Sequence, residues 1–419
     1  MSAVRNLGAT TDTDRGMGGL NVLSSTNRRT DGFSDTRDFH PPPNAHAWIR
    51  SATAWQCTGC RRPSQLLRRA IAPSSLNSEA AIQTALANGD SRLTLPPGVI
   101  TFTQPLTLPD RPILFEGAGT GVTELQWTGG QDGIVGLGRT VGRPVTIRDL
   151  TISTNAARSG SAIKLTSGNG SSHDPSVIIE RIVVKGGGAT FRKGITLDGC
   201  WMPRIDKSWI YGQYSDVTVE TLNSGTAMST AIDVGASQEA KISNTYIACA
   251  ATGVSIQGPA QGTGEGIAVS GCAIINNLVS IRLNGGVYGG WATPWAVIRD
   301  SHLFYLDTGV FVVTRADVVI SGNSICGSHL IPNYGVGIYI VGASRSVRVC
   351  DNHVWTTKPG QGYGIIADAS NDGVIGGNVI DASVYLGIWL TASSQGWDAR
   401  GNRNRATIPV IDNNGGNLT

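Results

Sequence analysis

The sequence predicts an all-β chain wound as a parallel β-helix, a single-stranded solenoid, and three observations point there. Between Val318 and Thr391 one pattern recurs three times: VVISGNSI…GIYIV, VRVCDNHVW…GIIAD and GVIGGNVI…GIWLT. Each copy holds an alternating apolar strand, an Asn (Asn323, Asn352, Asn378), a second short strand, and a Gly-Ile step that opens a third, with the Asn residues 29 and 26 positions apart. A repeat of that length built from period-2 strands is one turn of a parallel solenoid. The second observation is that no unit carries a helix or a leucine ladder, which sets aside leucine-rich and helical arrays. The third is composition. Gly is 55 of 419 residues and charged residues are 15%, as many tight turns and small inward positions require.

Residues 1–77 form a separate region. Positions 1–75 hold ten Arg, no Lys and five Asp, a net +5, against −2 for the remainder. With FHPPPNAH and CRRPSQLLRR this stretch reads as extended or weakly ordered, a linker or attachment region. A basic arm could also meet nucleic acid or an acidic partner; the linker reading is preferred, and no nucleic-acid partner is expected. Cys57 and Cys60 are half of a zinc spacing with no second half nearby, so no metal is assigned. Seven scattered Cys imply no disulfide framework, and those from Cys200 onward read as small core residues. The chain shows no signal-peptide h-region and no 18-residue apolar run, so no membrane span is expected.

The solenoid is expected over 78–419. SEAAIQTALAN (78–88) has helical apolar spacing, an Asn77 or Ser78 cap and Gly89 beyond its end. Such a short helix would cap the first coil, whose core and strand edge would otherwise be bare. After Val145 the coils align on one inward residue each: Ile163, Ile195, Ile232, Val254, Val279, Val310, Ile338, Ile365, Ile388 and Val410. Period-2 alternation then gives two outward columns. The first runs Lys164, Thr196, Asp233, Ser255, Ser280, Phe311, Tyr339, Ile366, Trp389; the second runs Thr166, Asp198, Gly235, Gln257, Arg282, Val313, Val341, Asp368, Thr391.

The stretch AIQTALANGDSRLTLPPGVITFTQPLTL followed by GAGTGVTELQW resembles the opening of pectate-lyase-like right-handed β-helix domains, found in bacteriophage tailspikes and polysaccharide-degrading enzymes. The resemblance covers about 78–415. It implies a right-handed solenoid and a glycan-directed role, but the same scaffold hosts lyases, hydrolases, epimerases and binders. It also implies a homotrimer, phage tail or baseplate partners, and a virion or extracellular site of action. In such domains a Gly-Asp…Asp-Asp-Thr segment usually runs straight into Ala-Ile-Gln. Here LGATTDTD (7–14) is separated from it by the Arg/Pro-rich stretch.

The Asn run (Asn244, Asn323, Asn352, Asn378, Asn402) is expected to be a structural amide ladder along a corner. For chemistry the outward carboxylates are the better candidates. Glycoside hydrolysis needs a proton donor and a base or nucleophile, which two carboxylates across one bond supply. Asp198 and Asp233 fall diagonally on adjacent rungs, about 5–8 Å apart by strand spacing, and Glu220 lies in a long loop that could swing over them. The rival readings are surface decoration and calcium ligation. A lyase would instead use a basic group and a cation or Ca²⁺ to neutralise a uronate, for which Lys164 and Arg282 are available. Gln257, Arg282 and Asp368 border the face as substrate contacts. Phe311, Tyr339 and Trp389 share a column suited either to stacking on pyranose rings or to a subunit interface. The expected activity is binding and cleavage of a bacterial surface polysaccharide. The alternatives are a non-catalytic adhesion module and a secreted lyase-like enzyme or epimerase.

Overall fold

The computed structural model describes residues 75–156, 159–168, 175–186, 189–213, 217–223, 227–258, 265–288, 291–328 and 335–419. Most of the basic segment 1–77, with Cys57 and Cys60, lies outside them. The described residues form a right-handed parallel β-helix, one 32-stranded parallel sheet wound into three faces. Each coil gives one strand to each face, so every face is a ladder of strands one coil apart in the chain.

The first face runs from Arg92–Thr94 through Arg204–Asp206 and Arg348–Cys350 to Gln395–Asp398. The second includes Trp209–Tyr211, Tyr246–Ala248 and His353–Thr356. The third holds Phe191–Asp198, Met228–Val234, Val336–Val341 and Leu386–Leu390. Inward Ile, Leu and Val stack coil on coil at essentially zero exposure. Near the N-terminal end Phe102 and Trp127 lie face to face at 4.7 Å, adding aromatic area to the column. The helix α1 (Glu79–Ala87) closes that end with Ile82, Ala85 and Leu86 buried. Ser78 is its cap, accepting from the Ala81 amide at 3.3 Å. Glu79 ties it down by accepting from the Thr103 and Gln104 amides.

The corner between the first and second faces explains part of the repeat. One residue per coil takes a left-handed conformation there, among them Arg181, Lys207, Asn244, Asp300, Asp351 and Gly377. Asn323, Asn352, Asn378 and Asn402 follow one residue after that position and form a ladder. Each side-chain amide donates to the next Asn carbonyl at 2.9, 3.0 and 2.9 Å. Asn244 is not part of it. It sits at the left-handed position itself and donates outward to Asp206, because Asn suits that conformation as well as a ladder.

Entry to the third face explains the Gly-Ile step. A Cβ on Gly337 would lie 2.6 Å from the Gly364 carbonyl, and one on Gly364 2.4 Å from that of Gly387. The strands bend so closely over one another here that glycine is favoured. A second short helix, α2 (Val219–Asn223), was not foreseen; the long step before Met228 contains it.

Candidate functional site

The third face presents the predicted columns, with one correction. Ile163, Ile195, Ile232 and Val254 stack in register, but Val254 pairs with Ile281, not Val279. The strand Ala273–Asn284 has register irregularities at Asn277 and Val279, and apolar residues at both 279 and 281 disguise them. A slip of two keeps every side chain on its side but moves Arg282 into the first column. The observed file is therefore Lys164, Thr196, Asp233, Ser255, Arg282, Phe311, Tyr339, Ile366, Trp389. Ser280 instead is buried, in the bend that Gly253 and Gly309 occupy on neighbouring coils.

Charged and amide groups occupy the early coils of this file. Lys164 lies 3.4 Å from Asp132. Asp233 is only 7% exposed and forms an ion pair with Lys193 at 2.5 Å. Its other oxygen accepts from Gln257 at 3.4 Å. A carboxylate that buried needs such partners. Lys193 was missed in the sequence because it precedes Gly194, at the bend where the strict alternation of the strand does not hold.

Asp198 stands in the second column, diagonal to Asp233 as expected, since Thr196 pairs with Asp233 and Leu197 with Val234. It is exposed and accepts the Ala236 amide at 2.7 Å. Its carboxylate leans over Gly235, where a Cβ would meet it at 2.3 Å. Glu220 is exposed on α2. Leu222 of that helix packs with Ala227, Leu278 and Leu306, so α2 rests against the coils that follow Asp233.

Aromatic groups take over in the later coils. The Arg282 guanidinium lies over the Phe311 ring, 5.3 Å from its centroid. Phe311 and Tyr339 are 5.4 Å apart. Burial and then the nearby Asp368 carboxylate, which takes its hydrogen bond, push the Tyr339 hydroxyl above its ordinary range. Asp368 also accepts from Thr391 at 2.7 Å. Ile366 is nearly buried and separates Tyr339 from Trp389 as a flush apolar step. The indole N–H of Trp389 and the Arg282 Nε are buried beneath this face without a hydrogen-bond partner.

Among the described residues no group of three or more His, Cys, Asp or Glu is placed to hold a metal ion. No helix among them is long and apolar enough to cross a membrane.

Comparison with known proteins finds one family match and several similar solved structures. Residues 252–407 match the family described as periplasmic copper-binding protein (NosD), well under half of the chain. No curated protein matches the sequence. Among solved structures, the A-module of the Azotobacter vinelandii mannuronan C-5 epimerase AlgE6 is similar. It has 16% identity and a TM-score of 0.49, over 76% of this chain and 94% of that one. The Dettilon tailspike protein has 14% identity and a TM-score of 0.46, over 75% of this chain and 66% of that one. Alginate lyase from Paenibacillus sp. has 16% identity and a TM-score of 0.43, over 74% and 95%.

Among the described residues of that region, the His and Cys donors that copper, named in the family description, would need are not brought together. Cys272 and Cys326 are buried, and burial pushes their thiols up to about 11 and about 12, so both are protonated rather than thiolate ligands. His302 and His353 stand on the second face two coils apart, with Ser324 between them.

Proposed function

We propose that the solenoid binds a bacterial surface polysaccharide along its third face and cleaves it there, as a phage tailspike or prophage-encoded depolymerase acting from a virion or outside the cell. One observation carries this reading: a single outward file runs from the Lys193–Asp233–Gln257 cluster through Arg282 over Phe311 to Tyr339 and Trp389. Adjacent coils are about 4.8 Å apart, so the file presents ring faces and polar groups in a line along which a glycan chain can lie.

Each residue then has a part. Phe311, Tyr339 and Trp389 offer ring faces to the apolar C–H faces of sugars. Arg282, Asp368, Gln257 and Lys164 bond hydroxyl or acidic substituents. Asp198 delivers a proton to the glycosidic oxygen as the C–O bond breaks. Asp233, held by the Lys193 ammonium, supplies the carboxylate that attacks the anomeric carbon or takes a proton from the attacking water. Glu220 is the reserve candidate if α2 moves. A homotrimer would cover part of the remaining outer surface.

A second reading has its own support. Asp233 is fully engaged by Lys193 and Gln257, and Asp198 by the Ala236 amide, an arrangement equally suited to holding a glycan without breaking it. Incubation with purified capsule, exopolysaccharide or lipopolysaccharide separates the two readings. Shortened chains support cleavage, whereas retention on immobilised polysaccharide with unchanged chain length supports the binder. A rise in ultraviolet absorbance from an unsaturated product would assign a lyase, and dependence on added Ca²⁺ would be tested with it.

A further inference from the structure

The second face carries a groove that the third-face site does not use. It has a volume of about 620 Å³ and crosses four successive coils. The loop 117–122 builds one end. Later coils turn this corner on one left-handed residue, but this coil bulges through Gly119 and Gly121, both at positive φ. The bulge is fixed by hydrogen bonds from the Gly119 amide to the Asp149 carbonyl and from the Gly121 amide to the Thr151 hydroxyl, each 2.9 Å. Val183 and Thr151 lie between the ends. The other end is Trp209, 58% exposed, with the Tyr246 ring 5.6 Å away on the next coil.

Arg181, Lys185 and Lys207 line the groove together with Asp149, and each cation has a carboxylate beside it. Arg181 holds Asp149 through two hydrogen bonds of 2.7 and 2.9 Å, and Lys185 reaches Glu124 at 2.8 Å. Lys207 is the most accessible of the three. Its side chain is 63% exposed and its ammonium stands 3.8 Å from Asp206.

We propose that this groove is a second saccharide-binding site, selective for sugars that carry a carboxylate. The exposed Trp209 face takes the apolar face of one sugar ring, while Lys207, exposed and only loosely paired with Asp206, takes the acidic group of that sugar or the next. The site is on a different face from the Asp233 file, so it anchors an acidic chain without taking part in cleavage.

Calorimetric titration of the full chain with hexagalacturonate, and with maltohexaose as the neutral control, tests this. Hexagalacturonate should bind, more weakly as salt rises, and maltohexaose should bind less. The W209A variant should weaken hexagalacturonate binding roughly three- to tenfold, the range expected for one aromatic contact. W209F should recover most of that loss, and K207E should abolish the preference for the acidic oligomer. Circular dichroism melts confirm that each variant is folded. Cleavage of polysaccharide at the third face should be unchanged in W209A and K207E, so failure of the groove and failure of the cleavage reading appear in different assays. The proposal is overturned if hexagalacturonate does not bind or if it binds W209A and K207E as it binds the parent. It is also overturned if light scattering shows that W209A only dissociates an oligomer, which would make this face a contact between copies.

Discussion

On the third face, Asp233 is enclosed by Lys193 and Gln257, and the aromatic groups follow coil after coil from Phe311 to Trp389. On the second face, cations paired with carboxylates line a short groove, and the exposed Trp209, with Tyr246 beside it on the next coil, closes one end. The same scaffold thus makes two kinds of surface. A column that repeats one side-chain character over many coils makes a long track. A single bulged turn, at 117–122, makes a bounded pocket.

The largest effect should separate the two surfaces outright. D233N and D198N preserve shape while removing the charge or proton, and each should lower cleavage on the order of 10²-fold or more, with polysaccharide binding retained. Reducing-end or chain-length assays measure this, and W209A is the control that should leave cleavage intact. Both Asn variants cleaving normally would move the chemistry elsewhere, to Glu220 first.

Next in size is the support beneath both surfaces. In N352L the ladder loses an inner amide: the buried Asn323 backbone N–H loses its acceptor, and Asn323 and Asn378 each lose one side-chain bond inside the wall. Stability should fall by about 1–3 kcal/mol, the cost of buried polar groups left unpaired, seen as a lower urea midpoint. N244G, which removes the outward bond to Asp206 but keeps the left-handed corner unstrained, should cost less. Equal losses would contradict the distinction between ladder and corner.

Aromatic contacts on the track should be smaller and additive with glycan length. W389A and F311A should each weaken binding by about 0.5–1.5 kcal/mol, and oligosaccharides too short to span both rings should respond to one variant only. A uniform response at every length would argue for a subunit interface.

The smallest effect is acid sensitivity at the groove. Hydrogen bonds from Arg181 hold the Asp149 carboxyl below its ordinary value. A depressed folded value means the pair stabilises the fold above the unfolded value of about 3.9 and loses that contribution as pH falls through the folded value. Both side chains are partly exposed, 25% and 42%, so screening limits the contribution to about 1 kcal/mol or less. R181A should flatten the acid limb of melting temperature against pH, and an unchanged limb would show that the pair contributes nothing.

Much of this architecture was legible because solenoid coils obey local rules. The Gly-Ile step marks a bend where glycine is favoured, and nine of the ten inward anchors stack where the alternation puts them. Val279 failed because the strand holding it is irregular, a feature alternation cannot register when apolar residues stand on both sides of it. Asn244 was misassigned because left-handed corners and amide ladders favour the same residue. Of the candidate site, the aromatic file was readable from period and spacing. Lys193 was not, since it sits in the bend, and neither was the Trp209 groove. That groove is assembled from four coils and one bulged loop, and no local pattern in the chain joins them.

The central claim is that the third face cuts the polysaccharide it holds. The most direct measurement is the chain-length distribution of purified bacterial surface polysaccharide after incubation with the parent protein and with D233N. The account predicts progressive shortening by the parent and, with D233N, retention of the polysaccharide on the protein at full length. Unchanged length with both proteins, or equal shortening by both, would contradict it.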